Sequence, residues 1–439
     1  MILVGYTTRY RGGSEKFRAA AETMHRELRE KHPSREVRLV ALERKSDFVA
    51  EMERIENEGK RLAELHFVGH SGMYGIMFGS TSWPEQFSPH EWRTMRIPFA
   101  EGASAHFHAC RTARWFAPFF ARTFGVRTFG HHGYTTVSIE PERFVWEGLR
   151  FPRSGPTYLV SVPGRKTHGL AGSLRKYLLR PPVEPMLGFE PIEPEGETGY
   201  DAVSALYDRA FADIRVRRDE YAWVTKALAR ARKESGRAPR VLDVGCGNGA
   251  LLLALEDRLA RGVGVDVSRG MIAKARERAE GHPKLSFEAI SGPELPCDDA
   301  SFDVIVSFLS FRYLDWDPIV REMRRVLAPG GRILVVDMVE KPLEAKDAPV
   351  LARSALAHVL RPVRDPRFHR DVQALVSHPD WATMLKHNPI RAEHEYRWYL
   401  ESRFPGRRLE TLNVGRTQRL VAFDTGPLEP GTVAPLSYP

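Results

Sequence analysis

The chain has 439 residues, enough for two or three domains. Its 42% hydrophobic content is ordinary for soluble globular protein, and no apolar run approaches the roughly 18 residues of a membrane span, so no membrane partner is expected. The net charge of +9 rests on arginines spread thinly, with only short pairs such as Arg217-Arg218 and Arg407-Arg408, whereas a nucleic-acid binder gathers its charge on one face or in a recognisable module, so nucleic acid is disfavoured.

The first 150 residues alternate strand and helix. Ile2–Tyr6 reads as a strand and lacks the long apolar region of a signal peptide. An amphipathic helix over 14–31, a strand Val37–Leu42 and a charged helix over 47–59 follow. A strand Glu64–Val68 then ends in Gly69-His70-Ser71-Gly72, and a strand Ser104–Ala109 ends at Cys110. A helix Ala113–Thr123 and a strand Val126–Gly130 complete the series. This alternation predicts a parallel α/β sheet. His70 and Cys110 then stand at the carboxyl ends of strands, where open α/β sheets place their sites.

Phe67-Val68-Gly69-His70-Ser71-Gly72 and His108-Ala109-Cys110-Arg111-Thr112 resemble the histidine and cysteine motifs of the caspase-like (clan CD) fold, including its CHAT branch. Ala-Cys-Arg is kept, but His108 and Thr112 stand where the caspase signature has glutamine and glycine, so the chain is not a caspase proper. The resemblance implies a cysteine peptidase with Cys110 as nucleophile, His70 as its proton-transfer partner, and the amides of Gly72 and Cys110 for the oxyanion. It also admits a pseudo-enzyme that binds a partner. Two other readings use the same residues. A buried cysteine at a strand end is often a small hydrophobe. His106, His108 and Cys110 also share a face by the two-residue strand period, and with His70, His131 and His132 could bind zinc or another soft metal. H-x-H-x-C is not a standard structural zinc spacing, and no metal is assigned from the sequence.

Proline and glutamate punctuate the middle, in Arg180-Pro181-Pro182-Val183-Glu184-Pro185 and Glu190-Pro191-Ile192-Glu193-Pro194-Glu195-Gly196-Glu197. This composition predicts a linker over 181–197 that divides a domain of 1–180 from one of 198–427, with a tail over 428–439. The cysteines Cys110, Cys246 and Cys297 are too scattered for a disulfide framework and fit a reducing cytoplasm.

The second part opens with aromatic and apolar residues at helical spacing: Tyr200, Val203, Leu206, Tyr207, Phe211, Tyr221, Val224 and Leu228. Val241-Leu242-Asp243-Val244-Gly245-Cys246-Gly247-Asn248-Gly249 is an apolar strand that runs into an acid and a glycine-rich loop. A dinucleotide loop must receive a pyrophosphate, and usually keeps acids away and spaces its glycines G-x-G-x-x-G. Here the spacing is G-x-G-x-G and Asp243 precedes it, which suits a ligand with a cationic end. An apolar helix over 250–255 leads to Gly262-Val263-Gly264-Val265-Asp266, a strand ending in an acid about 20 residues past the loop, the separation that puts a carboxylate on ribose hydroxyls. Ser291 to Ser307 contains a Ser-Phe-Asp strand entry at 301–303, and Leu327-Ala328-Pro329-Gly330-Gly331 is a helix-ending turn before an apolar strand.

These blocks, in this order, resemble the class I S-adenosylmethionine-dependent methyltransferases. The resemblance implies an α/β, Rossmann-like, doubly wound sheet of seven strands. It also implies S-adenosyl-L-methionine as cofactor, with Asp243, Gly245, Gly247, Asp266, Val267, Met271, Ser291, Gly292, Ser307 and Tyr207 around it. Ser291 stands where that family often has an acid for the adenine amino group. Segment 341–403, with Trp381, His387, His394, Tyr396, Trp398 and Tyr399, falls where the family builds its substrate lid, before a hairpin of Arg408–Val414 and Thr417–Asp424. Its aromatics serve equally well as packing residues.

The implied reaction is in-line methyl transfer from a sulfonium to an O, N, S or C nucleophile, and no residue is identified as its base. Ser307-Phe308-Leu309-Ser310-Phe311 replaces the Asn-Pro-Pro-Tyr-like tetrad of exocyclic-amine nucleic-acid enzymes, so the expected partner is a small molecule or a peptide. A rival class is a peptidase or partner-binding protein whose second half only binds or senses the cofactor. Oligomeric state is left open.

Overall fold

The computed structural model describes residues 1–12, 14–145, 155–162, 177–191, 203–341, 347, 349–350, 352, 365–382, 390–415 and 418–429. The chain divides into two compact units, Met1–Glu195 and Gly196–Ser437.

Unit 1 contains β1 (Ile2–Thr7), α1 (Ser14–Lys31), β2 (Val37–Leu42), α2 (Lys45–Asn57), β3 (Leu62–Val68) and a short meander of β4 (Ser71–Gly72), β5 (Gly75–Gly79) and β6 (Pro84–Gln86). Then come α3 (Pro89–Thr94), β7 (Phe99–His108), α4 (Phe116–Phe124), β8 (Arg127–Gly130), a ribbon of β9 (Thr135–Ser138) and β10 (Tyr158–Ser161), and β11 (Leu187–Phe189). The main sheet has the order β11-β8-β7-β3-β1-β2, parallel except for β11. β1 is apolar along its length because both its faces are covered, as in other parallel sheets. Ile2, Val4 and Val68 pack with Phe17, Ala21 and Leu28 of α1. The other core is aromatic, with Phe48, Trp92, Phe107, Phe116 and Phe120 in edge-on and tilted contacts.

The expected alternation holds, with shifted ends. β7 begins at Phe99 where the sequence suggested Ser104, and α4 is preceded by a single 3-10 turn over Thr112–Arg114. The linker over 181–197 is corrected. β11 lies inside it and pairs antiparallel with β8, while Pro182 and Glu184 bridge to Arg143 and Ser161. A three-residue strand at a sheet edge tolerates flanking prolines, because it needs ladder hydrogen bonds on one side only. Residues 192–197 and the tail from 430 lie outside the described residues.

Unit 2 contains α5 (Ser204–Ala210), α6 (Arg218–Ser235), β12 (Arg240–Val244), α7 (Ala250–Leu255), β13 (Arg261–Asp266), α8 (Arg269–Arg278), β14 (Leu285–Ala289) and β15 (Phe302–Phe308). It continues with α9 (Trp316–Val326), β16 (Leu327–Glu340), α10 (Pro366–Val376), α11 (Glu393–Arg403), β17 (Glu410–Val414) and β18 (Gln418–Asp424). The seven-stranded sheet has the order β14-β13-β12-β15-β16-β18-β17, with β18 antiparallel between β16 and β17. Strand order reverses at β12, which is flanked by β13 on one side and β15 on the other. That reversal opens a crevice at the carboxyl ends of the strands, the usual ligand position in such sheets. The expected turn at Pro329-Gly330 is the irregular start of β16, with Gly330 at φ +73°.

Candidate active site

β12 delivers Asp243 to the switch point, and the loop that follows bends back on itself. Gly245, Gly247 and Gly249 have φ of +79°, +54° and +75°, a region that costs any other residue a Cβ clash with its own backbone. Gly245 has a second reason to be glycine: a Cβ there would lie 2.4 Å from Cβ of Ser310. At Gly247 a Cβ would meet nothing within 4 Å, so the loop faces open space at that position.

Two acids flank the loop. Asp243 is 1% exposed, and its Oδ1 has no hydrogen-bond partner among the described residues. Burial, helped by the charge of Asp266, pushes its carboxyl up to about 8. A buried acceptor without a donor is costly, and a cationic donor in the crevice would satisfy it. Asp266 is held differently. Its Oδ2 accepts the amide of Gly247 at 2.9 Å and its Oδ1 accepts the amide of Ser268 at 2.9 Å. The two amides fix the carboxylate's orientation, and its two acceptor oxygens are of the type that suits the two hydroxyls of a ribose.

The other expected cofactor contacts divide. Val267 is 66% exposed, an apolar side chain open to a planar ring, whereas Met271 is buried and its amide caps onto Ser268 Oγ. Ser291 is exposed and Gly292 half-buried in the turn after β14. Ser307 is fully buried and its hydroxyl is engaged with Ser310 Oγ at 2.8 Å, which in turn donates to the carbonyl of Val244. Ser307 therefore shapes the loop from beneath. Sequence reasoning missed Ser310 and Asn248. The Asn248 amide donates to Asp208 Oδ1 at 2.9 Å and to the carbonyl of Phe211, tying the glycine loop to the segment of α5. An Asn within a glycine loop was the available signal.

That segment walls a cavity of 1130 Å³, whose lining includes Tyr207, Phe211, Leu309, Tyr313, Met338 and Trp381. Val203, Phe211 and Leu375 form its backing cluster, with Phe368 and Val372 of α10. Of its acids, Asp347 is paired with Arg419, Glu393 with Lys341 and Arg397, Asp365 with Arg218 and Glu220 with Arg217, while Asp219 accepts from the Asn413 side-chain amide. The expected lid aromatics separate likewise. Trp381 faces the cavity, while buried Tyr396 donates to Asp337 and Tyr399 to Asp317 as packing groups. His394 and Trp398 contact each other at 4.3 Å, and Tyr200 and His387 lie outside the described residues.

In unit 1, His70 and Cys110 follow the adjacent parallel strands β3 and β7, as expected. His70 Nε2 lies 3.3 Å from the carbonyl of Gly12, and its ring meets Phe17 edge-on. The Cys110 thiol is within 3.2 Å of Thr135 Oγ1 and accepts the Thr135 amide. Ser71 Oγ donates to the Cys110 carbonyl, and Gly72 lies in the β4–β5 pairing. The histidine face is assembled differently from the H-x-H-x-C reading. Among the described residues, the trio whose ligating atoms come within 4.8 Å of one another is Glu64, His66 and His106, without Cys110, His70, His131 or His132.

Residues 241–331 match the family model of a methyltransferase domain. A demethylmenaquinone methyltransferase of Clavibacter sepedonicus is 33% identical over 148 residues, covering 33% of this chain and 58% of that one. A 27-O-demethylrifamycin SV methyltransferase of Amycolatopsis mediterranei is 32% identical over 162 residues, covering 34% and 59%. The chain thus spans less than two thirds of the length of these relatives. A solved SAM-dependent methyltransferase of Aquifex aeolicus is 19% identical with a TM-score of 0.29, covering 43% of this chain and 82% of that one. The orphaned acid and the glycine cradle fit a cationic amino-acid end, and the second acid fits a ribose. Residues 241–331 of unit 2 are thus similar to a methyltransferase domain, the kind of domain whose cofactor is S-adenosylmethionine.

Proposed function

We propose that unit 2 transfers a methyl group from S-adenosylmethionine to a small organic acceptor held in the cavity beside the glycine loop. The observation that carries this reading is the buried Oδ1 of Asp243, without a hydrogen-bond partner among the described residues, beneath three left-handed glycines at the point where strand order reverses. When bound, the cofactor supplies an electrophilic methyl group on a sulfonium. The chain's own residues hold and align. Asp243 takes the amino-acid end, Asp266 the ribose, and Val267 one face of the adenine. Tyr207 borders the cavity, and burial raises its phenol above the usual range, so it stays neutral and serves as a wall or a hydrogen-bond donor. The cavity acids Asp347, Glu393 and Asp365 are engaged by cations, no residue is assigned as a base, and the reading rests catalysis on alignment at contact distance. The acceptor then arrives with its nucleophilic atom unprotonated, or sheds its proton to water after transfer. The names of the two relatives, both acting on small molecules, support that acceptor class over a macromolecule. Calorimetry with S-adenosylmethionine on the full chain tests the reading: micromolar-range binding is expected, and equal affinity in wild type, Asp243→Ala and Asp266→Ala would overturn it.

A second reading concerns unit 1. The placement of His70 and Cys110 at the ends of neighbouring parallel strands supports a caspase-like domain with a cysteine nucleophile. A thiol-directed probe should label Cys110 faster than the other cysteines, and His70→Ala should slow it. Labelling indifferent to His70→Ala would remove the dyad and leave the binding-protein alternative.

A further inference from the structure

The sheet of unit 1 carries a row of imidazoles that neither reading uses. β3 and β7 run parallel in a register that sets His66 opposite His106, Glu64 opposite Ser104 and Val68 opposite His108. Side chains two residues apart share a strand face, so Glu64, His66, His106 and His108 project together. The His66 and His106 rings stack at 4.5 Å and 9°. His66 Nε2 is 3.0 Å from Glu64 Oε2, and one ligating atom each from Glu64, His66 and His106 lie within 4.8 Å of one another. Positions under a covered sheet are ordinarily apolar, so three nitrogen and oxygen donors converging there call for a reason.

We propose that Glu64, His66 and His106 bind one divalent transition-metal ion, with Zn²⁺ as the best fit. Two imidazoles and a carboxylate are a donor set that zinc accepts with a fourth position left for water. Tetrahedral bonds of about 2.0–2.2 Å place donors roughly 3.3–3.6 Å apart, so the most separated pair of the trio closes by up to about 1.5 Å on loading. The surroundings match what a liganding histidine needs. With the metal on Nε2, His66 carries its proton on Nδ1 and donates it to His108 Nε2, 3.3 Å away, which fixes tautomer and ring orientation. His32 Nε2 stands 3.6 Å from Glu64 Oε1 and has no hydrogen-bond partner among the described residues, so it backs the carboxylate from outside. Ser104 Oγ does the same for His106 at 2.9 Å. His66 is buried, while Glu64 and His106 keep partial exposure, which leaves a path for the ion. No chemical step is needed on binding beyond the tautomer shift of His66.

The test uses the full chain stripped with a chelator, titrated with Zn²⁺ against a chromophoric competitor, and with Co²⁺ for its visible spectrum. One Zn²⁺ per chain is expected, with affinity falling at least about tenfold in His66→Gln, His106→Gln and Glu64→Gln, and unchanged in Cys110→Ala. The bound Co²⁺ should lack a thiolate charge-transfer band. Glu64 is partly exposed, so Glu64→Gln should fold even if a histidine variant does not, and the wild-type cobalt spectrum is independent of any variant. Failure of wild type to retain zinc better than a His66→Gln/His106→Gln double variant would reduce the row to a hydrogen-bonded ladder. Zinc affinity that follows Cys110, or a thiolate band, would place the ion elsewhere and overturn the assignment.

Discussion

Asp243→Asn separates the charge of the cofactor acid from its shape. In the empty protein the carboxyl is held at about 8 by burial and by Asp266, against about 3.9 in an unfolded chain. The native state therefore keeps a proton that the unfolded state has lost. Stability is then greatest below about pH 4 and falls as pH rises, until the folded carboxyl also ionises near 8. At about 1.4 kcal/mol per unit, the loss between pH 4 and pH 7 comes to roughly 4 kcal/mol from this group alone. A bound ammonium reverses the balance by favouring the carboxylate, so cofactor binding near pH 7 should expel close to one proton. Between pH 6 and 7 the donor's own amine stays charged, and the association constant should rise up to about tenfold. Calorimetry in two buffers of different ionisation enthalpy counts the proton directly. Asp243→Asn should release none, bind at least about tenfold more weakly, and melt with a flatter pH dependence than wild type when empty. A wild type that releases no proton, with affinity matched by Asp243→Asn, would show that this carboxyl does not meet the cofactor.

Asp266→Ala removes the acceptor of two backbone amides as well as the ribose contact, so it should cost both cofactor affinity and loop order; Asp266→Asn, which keeps one acceptor, should lose less of each in the same titrations. Gly245→Ala should destabilise unit 2 well beyond the roughly 1–2 kcal/mol of a left-handed residue because its Cβ meets Ser310, whereas Gly247→Ala should cost about that amount, as read from urea midpoints. Asp337 is fully buried and accepts from the backbone and guanidinium of Arg312 and from Tyr396, so Asp337→Ala strands a buried cation and should cost about 3–5 kcal/mol in the transition that S-adenosylmethionine protects. Equal midpoints for Gly245→Ala and Gly247→Ala would refute the steric argument.

The glycine loop was legible because its constraints are local: left-handed backbone admits few residues, and an apolar run buried on both faces has little freedom of composition. The same locality explains β1, β3 and β12. The short edge strand β11 was hidden because its prolines argue against a sheet interior, and the sequence does not say which strands are edges. Ser307 read as a ligand contact for a similar reason. A small hydroxyl at a strand end is consistent with either role, and only the position of Ser310 decides it. The Glu64, His66 and His106 trio arises from the register of two strands about forty residues apart, which no spacing within one strand encodes.

The two acids of unit 2 show how backbone geometry assigns roles that composition leaves equal. Both close apolar strands, and both lie beside the loop. Asp266 is met by two amide donors presented by the loop and by the start of α8, so it can face uncharged hydroxyls without a counter-ion. The Oδ1 of Asp243 lies deeper, without such a donor, and a neighbouring acid makes its ionisation harder still. Protonated, it can meet a neutral group; an ammonium favours its ionised form, which a phosphate would oppose. In the proposed reading, Asp243 then meets a cationic end of the ligand and Asp266 a diol. The difference between the two acids follows from the two backbone amides that meet Asp266 and that, among the described residues, Asp243 Oδ1 lacks.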